Sequence, residues 1–548
     1  MKRFLFFILY FSIVLCQGFP EWALEQPMET HPIMELTDWE IFDGEVELEK
    51  ANNFKDNNGW DAWTLNTKWW SRLDLKDEFK VKWWRRTVSI PKSFKGKDVF
   101  LELNVDDRGT VYYNGEKLMD VSQKSGKILI IKNAKGNETF SLVVRGQHTG
   151  YYGQFYHADL LAYPRGYAEF YKAFQNIQIL KPSSNGISIT QAKWKMMATD
   201  TASQPSFDDS KWEFRNISGS WKGEYKHVWY RMNFVIPDII DNVEVINSRL
   251  FINAYTNDKG EIWYKGEKLH EFRDSSGNVL FEVNGRPGET VSFAIKAINE
   301  RNVGELRYVR IVSGEAIKLT ELFNAMTKKL ERWDRYFQRH PSPNTKWLSE
   351  ATQILKTTVQ SDHILEVKLS QLEIKMNSLN KQLISQPTFV VPPYLQNVQD
   401  DGITIMWETA LPSLGAVIFG ETEINQVIHG QYSPSTIHEI TLVGLDKNTH
   451  YNYRAISGEM ASPKQKFRTK KLDDAPFSFS VYGDNRSYPK VAENVVKMMT
   501  RENIDFICSV GDVVTRGINL SEWGDEYLYP LRWIGGQIPS YISTGNHE

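Results

Sequence analysis

Three short polar motifs lie between residues 483 and 548. They read Gly-Asp-Asn-Arg at 483–486, Gly-Asp at 511–512 and Gly-Asn-His-Glu at 545–548. Carboxylate and amide oxygens are ligands that hard metal cations accept. Two such cations lower the pKa of a bridging water and hold the attacking and leaving oxygens of a displacement in line. The residue types therefore fit the needs of a hydrolytic two-metal centre.

Each motif follows a predicted strand. Residues 477–482, 504–510 and 538–543 are apolar runs typical of buried strands, and 523–534 is predicted to be helical in part. Between the first two strands, a helix face is predicted from Val491, Val495, Met498 and Met499. In an open α/β sheet, ligands bind outside the carboxyl ends of the strands. Asp484, Asp512 and Asn546 are expected to meet at that edge.

The motifs resemble the signature of the calcineurin-like metallophosphoesterases: an Asp after the first strand, Gly-Asp after the second and Gly-Asn-His-Asp/Glu after the third. The resemblance implies two divalent or trivalent metal ions (Fe, Mn or Zn) and a phosphate-ester substrate. It implies that Asp484 binds the first metal, Asp512 bridges both and Asn546 binds the second. His547 would stabilise the transferring phosphoryl group or protonate the leaving oxygen, held by Glu548.

Two positions depart from relatives in this superfamily. Arg486 stands where many relatives have a histidine ligand, so the first metal is expected to have one ligand fewer. Arg486 either contacts the substrate phosphate or is solvated. Thr515 stands where purple acid phosphatases have an iron-binding tyrosine, so a purple charge-transfer site is not expected.

The family's later ligands, a lone histidine and a Gly-His-x-His pair, find no counterpart before residue 548. His340, His363, His438 and His450 precede the motifs and are not expected to substitute. We therefore expect a C-terminally truncated phosphoesterase domain at 475–548. The parent protein is predicted to be a phosphohydrolase, and this polypeptide alone is predicted to be inactive or nearly so.

The segment before the motifs reads as a β-sandwich. Residues 403–407 alternate in polarity and include Trp407, and a Leu-x-x-x-Thr-x-Tyr-x-Tyr run ends at Tyr453. In a tyrosine corner, a tyrosine hydroxyl of such a run forms a hydrogen bond with nearby upstream backbone. This segment resembles the fibronectin type III-like N-terminal domain of purple acid phosphatases, with predicted bounds 387–470.

An internal repeat occupies the first half of the chain. Residues 83–91 reappear at 229–237, and 107–118 match 258–269 with Asn-Gly and Lys-Gly at corresponding hairpin turns. The copies resemble galactose-binding-like jelly rolls, with predicted domains at 35–165 and 190–313. A glycan or cell-surface ligand is one expectation, and the alternative is that the same aromatic side chains pack the core. The candidate aromatics are Trp60, Trp63, Trp69 and Trp70.

A helical spacer is predicted at 315–386, broken at Pro341 and Pro343. The spacing favours either two helices packed within one chain or a dimer through a coiled coil. The heptad positions are Leu365, Leu369, Leu372, Met376, Leu379 and Leu383.

The N-terminus reads as a secretory signal peptide at 1–18. Lys2 and Arg3 precede an apolar run at 4–15 that is too short to span a bilayer. The alternative is a lipoprotein modified at Cys16. No later apolar run is long enough to cross a membrane. We expect a secreted or periplasmic, cell-envelope location.

The composition excludes two classes of protein. The chain has 65 Lys+Arg against 68 Asp+Glu and a net charge of -3, which argues against a dedicated nucleic-acid binder. Two cysteines exclude a disulfide framework.

The predicted fold class is multidomain and mainly β: two jelly-roll sandwiches, a helical spacer, a fibronectin III-like sandwich and a partial α/β metallophosphoesterase domain. The predicted function is metal-dependent hydrolysis of phosphate esters. The alternative is an exported carbohydrate-binding or surface scaffold protein with a vestigial phosphatase segment.

Overall fold

The computed structural model describes most of the chain in two compact units. One unit comprises Met1–Gln175, Lys328–Thr358 and Leu372–Glu548, and the other comprises Asn176–Thr327 and Val359–Gln371. Several positions named above lie outside the described residues. They are the predicted signal peptide with Cys16, and Trp69, Trp70, Pro341, Pro343 and Leu383. The described residues are 33–65, 81–105, 108–122, 126–147, 155–222, 227–282, 284–300, 303–340, 344–381, 389–486 and 489–548.

The protein is mainly β and multidomain, which confirms the predicted fold class. The first repeat folds as two antiparallel sheets around one apolar core. One sheet has the order Ile33–Glu35, Phe155–Tyr163, Asp98–Val105, Gly126–Ile131. The other has the order Asp61–Thr64, Asp38–Asp43, Val81–Ser89, Thr139–Gln147, Arg108–Tyr113, Glu116–Ser122.

The second repeat, in the other unit, uses equivalent pairings within larger sheets. Its strand Leu250–Tyr264 pairs first with Val303–Ser313 and then with Thr290–Ile298, so one continuous strand does what Asp98–Val105 and Arg108–Tyr113 do in the first copy. The remaining strands are Ile187–Ser188, Gln191–Met196, Glu213–Asn216, Ser220–Lys222, His227–Val235, Ile239–Ile240, Val243–Glu244, Glu267–Ser275 and Val279–Glu282.

Both repeats turn where the sequence predicts a hairpin. Tyr113 pairs with Glu116 across Asn114-Gly115, and both turn residues have positive φ, 49° and 82°. Lys265-Gly266 repeats this geometry with φ of 52° and 86°. Positive φ at both central residues is the two-residue turn that suits strand twist.

An arginine shared by the two repeats ties a loop to the sheet. Arg85 is fully buried; its Nε donates to Glu40 at 2.6 Å and its Nη1 to the Asn53 carbonyl at 2.9 Å. Its guanidinium lies 4.0 Å from the Trp60 ring centroid. In the second copy, Arg231 donates to Asp209 at 2.8 Å and to two loop carbonyls. The shared arginine is therefore a structural clamp.

The described candidate aromatics pack inside the first sandwich. Trp60 is buried beside Arg85, and Trp63 packs on the core with its ring stacked on Phe155 at 6.1 Å. These positions favour the core-packing alternative over sugar stacking for Trp60 and Trp63.

In its described residues, the spacer forms three consecutive helices. The sequence predicted a single break and therefore two helices. The additional break comes at residues 361–364, between the second helix and the third. Among the described residues, the helices are Leu48–Ala51, Tyr167–Ile177, Gly314–Arg339, Thr345–Gln360, Leu365–Lys381, Pro489–Met499 and Leu520–Glu522, with a π-helical turn at Trp523–Leu528 and 3-10 turns at Lys92–Phe94, Gln178–Leu180, Asp200–Ser203 and Pro530–Trp533.

The heptad seam is covered within one chain. Leu372, Met376 and Leu379 are buried, and Asn380 accepts a hydrogen bond from Trp333 Nε1 at 3.0 Å. This burial gives the seam an intrachain role, and a dimer through this segment stays a prediction.

The fibronectin-like segment forms two facing sheets with Trp407 in the core. The Asp446 N–H donates to the Tyr451 hydroxyl at 2.9 Å, as predicted for a tyrosine corner. One sheet contains Phe389–Gln396, Gly402–Ser413 and Ser435–Val443. The other contains Gly415–Gly420, Gln426–His429, His450–Ser457, Met460–Ala461 and Gln465–Arg468.

The last segment is a parallel sheet in the order Phe479–Tyr482, Phe506–Ser509, Ser540–Ile542. The intervening helix, Pro489–Met499, buries Ala492, Val496 and Met499. The predicted helix face was therefore wrong at Val491, Val495 and Met498, which are exposed. The helix has apolar residues on two faces, so helical periodicity alone did not select the buried one.

Within the described part of the chain, no helix is long and apolar enough to cross a membrane.

Replacing Arg85 by Met should free the loop that it holds. We expect Arg85→Met to cost about 2–3 kcal/mol, because several charge-assisted hydrogen bonds are lost. Hydrogen exchange measured by mass spectrometry should rise in residues 53–57, and Arg231→Met should do the same in residues 202–209. Arg145→Met, which removes a partly exposed ion pair with Glu45, is the control. Unchanged exchange in residues 53–57 would contradict the clamp.

Candidate functional site

The parallel sheet brings the three motifs to one edge. Val481 pairs with Cys508, and Cys508 pairs with Tyr541, so the three strands end side by side. Pairing continues beyond the strands, because Val510 N–H donates to the Tyr482 carbonyl at 2.9 Å. The turns that follow therefore begin at the same level of the sheet.

The first and second turns are joined by two backbone hydrogen bonds. Asp484 N–H donates to the Gly511 carbonyl at 2.9 Å, and Arg486 N–H donates to the Asp512 carbonyl at 3.2 Å. Asp484 and Asp512 both have left-handed backbone, with φ of 51° and 52°. This conformation is uncommon for residues other than glycine, and such strain concentrates at functional sites.

The third turn lies directly against Asp512. A Cβ on Gly545 would lie 2.2 Å from Asp512 Oδ1, so only glycine fits there. The next residue, Asn546, donates its N–H to the same Oδ1 at 3.2 Å. One oxygen of the predicted bridging carboxylate is thus fixed by the third turn.

Glu548 holds the second and third turns together. Its carboxylate accepts the N–H groups of Val513 at 2.6 Å, Gly545 at 2.6 Å and Asp512 at 3.1 Å. Burial opposes ionisation of this carboxyl, but the backbone N–H donors outweigh it and lower the pKa of Glu548. The expectation that Glu548 holds His547 is corrected here, because these bonds go to backbone.

His547 is held by a different group. Its Nδ1 lies 2.8 Å from the Thr515 carbonyl, and its own carbonyl accepts the Gly517 N–H at 2.7 Å. A carbonyl only accepts, so Nδ1 carries the proton. In the neutral imidazole, Nε2 is then the basic nitrogen.

Arg486 is paired with both candidate carboxylates. Its Nη1 lies 3.0 Å from Asp512 Oδ2, and its Nε lies 3.5 Å from Asp484 Oδ1. The interpretation of Arg486 as merely solvated is therefore wrong. The Asp484 side chain is 77% exposed and that of Asp512 is 21% exposed, so both remain open to a ligand from solvent.

The donors present are of the kind that a hard divalent cation accepts. Asp484, Asp512 and Asn546 offer carboxylate and amide oxygens. Both amide atoms of Asn485, the residue between Asp484 and Arg486 in the chain, are inaccessible to solvent and have no hydrogen-bond partner. Among the residues that the structure describes, no group of three or more His, Cys, Asp or Glu side chains is placed to hold a metal ion. Amide oxygens would have to complete the ligand set.

One further carboxylate, Glu526, lies near the site without any signal in the sequence. It accepts the Thr515 N–H at 2.6 Å and the Thr515 hydroxyl at 3.0 Å. Burial raises the pKa of Glu526, and the bonds from Thr515 oppose that rise. It lies in the π-helical turn Trp523–Leu528, where no motif or strand end marks it.

A cavity of about 560 Å³ lies at the opposite edge of the sheet. Phe477, Asp505 and Pro539, which precede the three strands, line it together with residues of the fibronectin-like segment. It is remote from the motifs by topology, since these follow the carboxyl ends of the same strands.

No family model and no curated protein matches this chain. Among solved structures, PhoD is similar with 15% identity and a TM-score of 0.26, covering 28% of this chain and 38% of that one. A β-glucuronidase from Faecalibacterium prausnitzii has 10% identity and a TM-score of 0.26, with coverages of 88% and 56%. A β-glucuronidase from Ruminococcus gnavus, in complex with uronic isofagomine, has 8% identity and a TM-score of 0.29, with coverages of 95% and 58%.

This chain thus spans between 38% and 58% of the length of these three structures. At these identities and TM-scores, what the chain does has to be argued from its own residues.

Replacing Gly545 by Ala should open the site. The added Cβ would meet Asp512 Oδ1 at 2.2 Å, so the second and third turns must separate. We expect faster hydrogen exchange at residues 511–517 in Gly545→Ala. The neighbouring substitution Thr544→Ala, at an exposed position, is the matched control and should leave exchange unchanged. Equal exchange in both variants would contradict the close contact.

Proposed function

We propose that the three turns form part of a metal-dependent phosphoesterase site that hydrolyses phosphate esters. The observations that carry this proposal are that the turns bearing Asp484, Asp512 and Asn546 follow adjacent strands of a parallel sheet, and that the Asn546 N–H contacts Asp512 Oδ1. Carboxylate and amide side chains on neighbouring turns at such an edge are suited to phosphoryl chemistry with bound cations.

The resident cations would supply Lewis-acid charge and an activated water. Asp512 would be one of the residues that hold the cations, with Oδ1 fixed by the Asn546 N–H and Oδ2 beside the Arg486 guanidinium. Asp484 and Asn546 flank it on the neighbouring turns.

Arg486 and His547 would act on the substrate. The Arg486 guanidinium would pair with a phosphate oxygen, which its planar fork fits. His547 can stabilise negative charge or donate a proton through Nε2 when that nitrogen is protonated, while Nδ1 stays on the Thr515 carbonyl.

Metal binding and turnover test the proposal on the 548-residue chain. We expect Mn²⁺ to bind in calorimetry, and Asp512→Asn to weaken binding at least about tenfold, because removing the charge of a hard-cation ligand is costly. Hydrolysis of para-nitrophenyl phosphate is followed with Mn²⁺, Zn²⁺ or Fe²⁺ present.

The control is Asp473→Asn, which alters an exposed carboxylate paired with Lys470 outside the site. Equal Mn²⁺ affinity of the Asp512 and Asp473 variants, or no binding at millimolar Mn²⁺, would refute the proposal.

Arg486 should compete with the metal for the two carboxylates. Arg486→Met removes the guanidinium without adding a ligand, and Arg486→His adds an imidazole ligand as well. We therefore expect Mn²⁺ affinity to rise in the order wild type, Arg486→Met, Arg486→His, in steps of about three- to tenfold. A fall in affinity in both variants would show that Arg486 supports metal binding.

A further inference from the structure

The loop that carries Asp512 is held by two carboxylates from different directions. Glu548 accepts the N–H groups of Asp512 and Val513, and Glu526 accepts the N–H and hydroxyl of Thr515. Each short bond to an ionised carboxylate is of the strong, charge-assisted kind. The backbone of residues 512–515 is therefore fixed at both ends.

Thr515 transmits this restraint to His547. Glu526 accepts hydrogen bonds from both the N–H and the hydroxyl of Thr515, and the carbonyl of Thr515 lies 2.8 Å from His547 Nδ1. A carbonyl held in this place determines which imidazole nitrogen carries the proton, since the other tautomer would set two acceptors against each other.

Other hydrogen bonds near Thr515 support this link between Glu526 and His547. The neighbouring acid, Glu522, accepts hydrogen bonds from Arg516 and Asn519. Gly517, two residues after Thr515, donates to the His547 carbonyl at 2.7 Å, which fixes the backbone of His547 against the same loop. Thr515 therefore connects Glu526 to the imidazole.

We propose that Glu526 is a positioning residue that, through Thr515, holds His547 in the Nδ1–H tautomer and so presents Nε2 to the phosphate site. The mechanistic meaning of this assignment rests on the proposed function. The tautomer itself is a property of the chain without any bound group, so the two can fail separately.

The experiment is nitrogen-15 NMR of the full chain with labelled histidine, with His547 assigned by loss of its signals in His547→Gln. Wild type should show the Nδ1–H pattern for His547 at a pH where the ring is neutral. Glu526→Ala should shift the ratio towards the Nε2–H tautomer by about five- to tenfold, the equivalent of one neutral hydrogen bond.

Glu526→Gln is the conservative variant, because its Oε1 can still accept the Thr515 N–H. It should restore most of the wild-type ratio, and it guards against a folding defect in Glu526→Ala. Glu522→Gln is the matched control and should leave the ratio unchanged. An unchanged ratio in Glu526→Ala, or an equal shift in Glu522→Gln, would overturn the assignment.

Calorimetry with Mn²⁺ on the same variants separates the two claims. A tautomer shift in a chain that does not bind Mn²⁺ supports the positioning role and removes the proposed function. Mn²⁺ binding with an unchanged tautomer in Glu526→Ala supports the proposed function and removes the positioning role.

Discussion

The site depends on how closely the third turn approaches Asp512. With the Gly545 backbone packed on the Asp512 carboxylate, the predicted bridging oxygen and the Asn-His-Glu segment must move as one piece. This contact is possible because three parallel strands end at one level, and because residue 545 has no Cβ. Any side chain at that position would push the third turn, and with it His547, away from the second.

Bringing the turns this close together costs free energy, which neighbouring polar and charged groups offset. The aspartates of the first two turns, Asp484 and Asp512, both have strained, left-handed backbone. The Arg486 guanidinium lies between them, and the Asn546 N–H satisfies one Asp512 oxygen. A cation would have to replace these donor groups at the carboxylates, and a phosphate would have to pair with them instead. The charges that stabilise the turns are therefore the same ones that would bind a ligand.

The sequence allowed the strands, their carboxyl ends and the three polar turns to be predicted, because apolar runs and glycine-preceded acids are local patterns. The partners of the acids could not be predicted in this way. Glu548 binds backbone N–H groups more than thirty residues away, and Glu526 reaches Thr515 from a π-helical turn that has no motif. The burial of Trp60 also depended on an ion-pair loop around Arg85, which periodicity does not encode. Hydrogen bonds between distant loops are set by tertiary packing, not by residue spacing.

The segment that carries Glu526 is itself anchored from outside the α/β sheet. Asp525, its neighbour, accepts from Arg339 Nη2 at 2.7 Å, and Arg339 ends the long helix Gly314–Arg339. The Arg339 guanidinium also stacks 3.7 Å from the Tyr529 ring centroid, one turn further along. The fibronectin-like sheet adds a bond from the Tyr453 hydroxyl to the Gly536 carbonyl at 2.8 Å. The turn that fixes Thr515, and through it His547, is thus braced by the spacer helix and the sandwich, which gives these accessory elements a direct physical role in the geometry of the site.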